Sequence, residues 1–220
     1  MRRPIVVFLV AVALLAGAAA TLGAPATAAP GVAAPAAADV AAPASAAATQ
    51  VERHSPAEGY PSLGPLDAKN TLVFFTDYQC PVCRRAAPEM DRLVADLAGQ
   101  VRAEVRHNPL AMHRDAFDAA AAAKAAQRQG RFWEYHEALQ RATSVNRAAL
   151  LKLAGSLGLN PQKFAHDIED PALRAEVTAE SKQALDANAL GTPGFLINGH
   201  VEVGWASLPW LEQIVRAHMK

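Results

Sequence analysis

The chain has 220 residues, 51% of them hydrophobic, with 21 basic and 21 acidic side chains and hence no formal net charge. Unexceptional glycine and proline totals (13 and 15) and a charged fraction of 19% exclude a wholly disordered, collagen-like or disulfide-dense chain. Without a basic excess it also lacks the electrostatic footprint of a nucleic-acid binder.

Arg2 and Arg3 precede an apolar run over residues 5–16, and Ala26-Thr27-Ala28 is a small-x-small cleavage pattern. The run is shorter than the roughly 20 apolar residues of a transmembrane helix, so residues 1–28 read as a signal peptide. Export to the periplasm or another extracytoplasmic compartment follows. An uncleaved signal, lengthened by the weakly apolar residues 17–20, would instead tether the protein to the membrane. Removing Arg2 and Arg3 leaves a mature net charge of −2, too small to imply a charged partner. No cysteine precedes Cys80, which excludes a lipid-modified N-terminal cysteine. Arg2-Arg3 alone is a weak twin-arginine signal. Residues 29–59 read as an Ala/Pro-rich disordered linker, in which Pro30, Pro35 and Pro43 stiffen an extended spacer.

The globular part is expected from about Tyr60. The β-branched and aromatic run over residues 71–76 reads as a buried strand. Asp77-Tyr78-Gln79 ends it, and Cys80-Pro81-Val82-Cys83 follows, with Pro81 suited to a first helical position. Met90, Leu93, Val94 and Leu97 recur at the spacing of one helix face until Gly99. Alternation from Val101 predicts a second strand ending near His107, so the opening is an α/β unit. From about Arg114 to Ala187 only helices are predicted. One carries Phe117 and an alanine run over 119–126, and another Phe132, Trp133, His136 and Leu139. The next three begin at Asn146, Asn160-Pro161 and Asp170-Pro171. Gly191-Thr192-Pro193-Gly194 then leads into a strand, Asn198-Gly199 is a two-residue hairpin signal, and a last helix carries Leu208, Leu211, Ile214 and Val215. Residues 60–110 and 188–220 form one α/β domain, interrupted by an all-helical insert over 111–187.

Cys80 and Cys83 are the only cysteines, and three readings compete for them. A structural disulfide closing so short a loop is worth about 2 kcal/mol, against about 4.7 for a 100-residue loop. A zinc site wants four ligands; His107 and His113 have a suitable mutual spacing but lie far from the cysteines, with Asn108-Pro109 breaking any helix that would align them. Redox exchange fits best. A cysteine at a helix N-terminus faces unpaired N–H groups and the positive end of the helix dipole, which favour its thiolate. The thiolate is both the attacking species and the better leaving group. Cys83, one turn on, is placed to resolve a mixed disulfide. Thr192-Pro193 has two readings: a loop proline stiffening a strand entry, or a cis peptide packed beside the cysteines, presenting the Thr192 backbone to an extended substrate segment.

These residues resemble the thioredoxin-like superfamily, in particular exported DsbA-type thiol:disulfide oxidoreductases with a helical insert. The resemblance is carried by 74–85 (Phe-Phe-Thr-Asp-Tyr-Gln-Cys-Pro-Val-Cys-Arg-Arg), Asn108-Pro109-Leu110 with His113, Gly130-Arg131-Phe132-Trp133 with His136, and Gly191-Thr192-Pro193-Gly194-Phe195. It implies a thioredoxin fold in which Cys80 is the exposed nucleophile, Cys83 the resolving cysteine and Pro193 a cis proline. Two departures stand out. Many relatives carry a buried acid six residues before the first cysteine; here that position is Phe74, leaving proton transfer to water or another group, with Asp77 a candidate. Strong oxidants often have His between the cysteines; here Val82 stabilises the thiolate less and implies a milder oxidant.

The expected function is therefore disulfide exchange with client proteins, in the oxidising direction, with an unidentified recycling partner, no cofactor, no metal and no nucleic acid. Isomerases of the superfamily usually need a dimerisation domain and the Ala/Pro segment offers none, so a monomer is expected. A reductase or isomerase is the nearest alternative; a non-catalytic binder or a copper carrier using both thiolates is a rival from another class. Arg84 and Arg85 are expected to form a plain surface face, Phe132 and Trp133 insert core, and His107 and His113 hydrogen-bonded structure.

Overall fold

The computed structural model describes residues 51–220, apart from Ala98 and Ala206. The expected signal peptide over 1–28 and the expected linker as far as residue 50 lie outside the described residues.

Among the described residues six strands form one sheet, in the order β1 (Arg53–His54), β2 (Ser62–Leu63), β4 (Val101–His107), β3 (Asn70–Thr76), β5 (Gly194–Ile197) and β6 (His200–Val203). Strand β3 (Asn70–Thr76) is central, and it alternates between two cores because successive side chains point to opposite faces. Leu72 and Phe74 join the main cluster with Met90, Leu93 and Phe195, whereas Val73 and Phe75 meet Ala184 and Ala189 on the other side. Buried on both faces, β3 reads as a near-continuous apolar run rather than an alternation.

Helix α1 (Pro81–Asp96) leaves the end of β3 and returns the chain to β4 (Val101–His107), which pairs parallel to β3 with Phe74 opposite Val105. Pro88 lies inside α1, where its missing N–H removes the bond to the carbonyl of Arg84. Strand β5 (Gly194–Ile197) pairs antiparallel to the other edge of β3, with Phe195 opposite Phe74 and the rings stacked 5.4 Å apart. Asn198 and Gly199 both adopt positive φ, as the predicted tight hairpin requires, and lead into β6 (His200–Val203). Helix α7 (Leu208–His218) closes the domain, capped by the Ser207 hydroxyl accepting from the Trp210 N–H.

Between β4 and β5 run α2 (Ala116–Gln127), α3 (Phe132–Arg141), α4 (Arg147–Ser156), α5 (Pro161–Glu169) and α6 (Pro171–Asp186). The predicted caps are in place: Asn146, Asn160 and Asp170 accept from the N–H groups of Ala149, Lys163 and Ala172. Alanines 119–123 and 125–126 of α2 are all buried, and their small size lets α3, α4, α5 and α6 close around it. The insert shares its core with the sheet: Ala119, Phe132 and Phe164 belong to the same apolar cluster as Leu72 and Phe74.

The fold also reaches further toward the N-terminus than the sequence reading placed it. Strand β1 (Arg53–His54), assigned above to the disordered linker, pairs antiparallel with β2 (Ser62–Leu63), which in turn pairs with β4. Two-residue strands carry too little pattern to register in a sequence, and their pairing is set by the edge of β4. Gly64 follows β2 at positive φ, and a Cβ there would lie 2.6 Å from the Val101 carbonyl oxygen, so only glycine lets the chain pass β4 so closely.

Candidate active site

Cys80 is the N-cap of α1 and Pro81 its first residue. The turn into the helix is built by Asp77, whose carbonyl accepts from the Cys80 N–H at 3.1 Å. The Asp77 carboxylate is buried and fully employed: Oδ1 accepts from the Gln79 N–H at 2.7 Å, and Oδ2 from the Leu110 N–H at 2.9 Å. Oδ2 also lies 2.7 Å from Nδ1 of His113. Asp77 thus holds together the β3–α1 turn and the loop after β4.

Strand β5 brings the second half of the site from more than a hundred residues away. The Thr192–Pro193 bond is cis, Pro193 is buried, and the Cys80 Sγ–H donates to the Thr192 carbonyl at 3.4 Å. The Pro193 carbonyl is held by the Gly204 N–H at 2.8 Å. Cys80 is only 5% exposed, against 0% for Cys83, so the exposure expected of Cys80 is reduced to a small window beneath the Thr192 backbone. Pro81 is exposed and Val82 half-buried at the rim.

The two thiols, both free, have opposite electrostatics. Hydrogen bonding from the Cys83 side chain holds the Cys80 thiol down at about 5, against the opposing effect of burial, with help from the backbone N–H groups of Cys83 and Val82. Burial pushes the Cys83 thiol up, and the neighbouring Cys80 sulfur adds to it. The Thr192 side chain favours both thiolates, although its hydroxyl closes no hydrogen bond in this dithiol state. The result is one sulfur suited to leave or attack and one suited to keep its proton.

Arg84 and Arg85 part company. Arg85 is exposed, as expected, but Arg84 turns inward: its Nε donates to the Gln140 carbonyl at 2.8 Å and its Nη2 to the Ala142 carbonyl. It pins the end of α3 to α1 directly after Cys83, because the last carbonyls of a helix lack intrahelical partners.

A buried polar chain behind the turn did not emerge from the sequence. The Tyr78 hydroxyl lies 2.8 Å from Nδ1 of His136 and 3.4 Å from Nε2 of His107. Nδ1 of His107 lies 2.7 Å from Oε2 of Glu180, whose Oε1 accepts from Lys124 at 2.8 Å. Burial, with the charges of His107 and Arg53, holds His136 down at about 3 and hence neutral. Phe132 and Trp133 pack on this cluster as core. The recurrence of His136 beside the Gly130-to-Trp133 run was the one available signal. Neither His107 nor His113 points at the cysteines; each is engaged by a carboxylate.

The family model described as Thioredoxin matches residues 57–212. Among curated proteins, the Na(+)/H(+) antiporter NhaA of Herminiimonas arsenicoxydans is 34% identical over 137 residues, 62% of this chain and 22% of the antiporter. The chain therefore spans a small part of the length of the curated relatives it matches. Among solved structures, a thioredoxin-like oxidoreductase from Silicibacter pomeroyi DSS-3 superposes with a TM-score of 0.65 at 30% identity, covering 72% of this chain and 91% of that one. The thiol-disulfide exchange protein alpha-DsbA2 of Wolbachia pipientis gives a TM-score of 0.63 at 22% identity, over 72% and 86% of the two chains, a likeness of fold. Sheet order, the cysteine pair at the start of α1 and the family match agree: the chain belongs to the thioredoxin family, with a helical insert between β4 and β5.

Proposed function

We propose that this protein is an exported thiol:disulfide oxidoreductase that works through Cys80 and Cys83, chiefly as a disulfide-forming oxidase. The observation that carries the reading is the asymmetry of the pair: Cys80, at the N-terminus of α1, held down at about 5 chiefly by hydrogen bonding from the Cys83 side chain, and Cys83 buried and pushed up. A low-pKa sulfur leaves readily, so the client's second thiolate easily expels Cys80 from the mixed disulfide, and the stabilised Cys80 thiolate favours the reduced enzyme, as an oxidant requires.

In the oxidised enzyme a client thiolate attacks Sγ of Cys80. The Cys80–Cys83 bond breaks, and Cys83 leaves with the electron pair and takes up a proton. The client's second thiolate then attacks the client sulfur of the mixed disulfide and expels Cys80 as a thiolate. The client has lost two electrons and the enzyme holds a dithiol, which a separate recycling partner reoxidises. The Thr192 backbone would align an extended client segment in the manner of an added strand. A Cys80 value of about 5 falls between about 7 for thioredoxin and about 3.5 for DsbA, which supports an oxidant milder than the latter and agrees with Val82 between the cysteines. Export, action as a monomer and exchange with protein clients belong to the same reading; among the described residues no helix is long and apolar enough to cross a membrane.

Cys83→Ser tests it. The variant should accumulate covalent complexes with clients through Cys80, and the wild type should oxidise a reduced dithiol peptide faster than it reduces insulin. Turnover only in the insulin assay would make it a reductase; retained metal with neither trapped complexes nor turnover would make it a carrier.

A further inference from the structure

Three consecutive side chains lead from β3 to Cys80, and each is held by a different part of the chain beyond β3. Asp77 is held by Leu110 and His113, and Tyr78 by His136 of α3 and His107 of β4. Gln79, directly before the nucleophile, is held by Asp115, the N-cap of α2. Its Oε1 accepts from the Asp115 N–H at 2.5 Å, and its Nε2 lies 3.5 Å from Oδ2 of the same residue.

The bond to Gln79 takes the place of a local cap. The N–H of an N-cap residue has no partner inside its own helix, and an acidic or amide side chain three residues on often meets it. In α2 that residue is Asp118, which turns instead to Arg174 at 2.9 Å, and the Asp115 side chain caps nothing. Gln79 therefore supplies the acceptor from another element. It is also the third residue of the four-residue turn closed by the Cys80 N–H on the Asp77 carbonyl at 3.1 Å, so its φ and ψ aim Cys80. The Cys80 side chain makes no cap bond to α1, and its Sγ meets the Thr192 carbonyl across the elements at 3.4 Å. A turn that pivots at Gln79 changes that contact.

We propose that Gln79 is a positioning residue for Cys80: by capping α2 from outside, it fixes the turn that sets the Cys80 sulfur against the Thr192 carbonyl, and the helical insert thereby helps to set how oxidising the cysteine pair is. The inference rests on Cys80 being the nucleophile of disulfide exchange. Asp77 and Tyr78 hold the same turn, but both are buried, and removing either side chain leaves other buried polar groups unmet. Gln79 and Asp115 are half-buried, so water can meet the Asp115 N–H once the Gln79 amide is gone.

Gln79→Met keeps the length of the side chain and loses both bonds to Asp115. In the full-length reduced protein the thiolate midpoint of Cys80 should rise by about half a unit or more, equivalent to about threefold in the ionisation constant. A less stable thiolate disfavours the reduced form, so the equilibrium with glutathione should shift about threefold toward the Cys80–Cys83 disulfide, a weaker oxidant. A merely structural bond would lower Tm and move neither reading. A midpoint or an exchange equilibrium that fails to move in these directions overturns the proposal, whatever the change in Tm. Asp115→Asn keeps the backbone N–H that Gln79 holds and removes the nearby charge, so it should not raise the midpoint. If it raises the midpoint as far as Gln79→Met does, the carboxylate acts on Cys80 rather than the bond, and the proposal fails. Should Gln79→Met not fold, Gln79→Ala is read in the same way. The titration needs no client, so unchanged values would leave the Cys83→Ser trapping result standing, and a failure to trap clients would leave the titration readable.

Discussion

Nδ1 of His107 lies 2.7 Å from Oε2 of Glu180, tying the last residue of β4 to the middle of α6 inside the protein. The same oxygen accepts from the His107 backbone N–H at 2.7 Å, and Lys124 of α2 neutralises the other carboxylate oxygen. Three elements therefore meet on one buried carboxylate. Burial alone would raise that carboxyl, but His107 and Lys124 hold it down at about 2.

Glu180→Gln leaves Lys124 buried with half its partners and removes the acceptor shared by His107. Breaking a buried pair from one side costs about 3–5 kcal/mol, to be read as a lower urea midpoint. A carboxyl whose folded value is depressed contributes stability above its unfolded value near 4.5, lost as pH falls through about 2. The wild type should thus lose stability steeply between those values, and Glu180→Gln should lose less there. Equal acid profiles for the two proteins would remove Glu180 from this role.

The thiolate absorbance of the reduced protein should titrate with a midpoint near 5, from Cys80, and a Cys80→Ser variant should show no such step. Depression of the folded value means that the reduced form gains stability above the unfolded value near 9 and loses it as pH falls through about 5. The Tm advantage of the reduced over the oxidised form should therefore shrink from pH 7 to pH 4. A midpoint close to that of free cysteine would contradict the electrostatics of the site.

Val82→His places an imidazole in the first turn of α1, between the two sulfurs. Its cationic form favours the Cys80 thiolate, so the Cys80 midpoint should fall and the reduction potential should rise. Each tenfold change in the exchange equilibrium corresponds to about 30 mV, and a rise of at least about that size is expected against glutathione. An unchanged potential would mean that the residue between the cysteines does not set the oxidising power.

Arg84→Met keeps the aliphatic stem but abandons the carbonyls of Gln140 and Ala142. Charge-assisted bonds of this kind are worth about 1.5–3 kcal/mol each, so the thermal midpoint should drop and amide exchange at the end of α3 should quicken. Arg85→Met, on the exposed neighbour, should change neither.

Much of this molecule could be read without coordinates. Pro81 starting a helix, the asparagine and aspartate caps of α4, α5 and α6, and the positive-φ pair Asn198-Gly199 each announce themselves within a few residues, because they satisfy backbone groups that are neighbours in the chain. The cysteine pair at the mouth of α1 is legible for the same reason. Tertiary structure alone decided the rest. The drop of Cys80 to about 5 combines hydrogen bonding from the Cys83 side chain at a helix terminus with the Thr192 side chain, 112 positions along the chain. The inward turn of Arg84, the two short strands at the edge of β4, the carboxylate of Glu180 between His107 and Lys124, and the bond between Gln79 and Asp115 have no local signature. Each is fixed by which distant groups burial brings within hydrogen-bonding reach, and an isolated stretch of sequence carries no record of its distant neighbours.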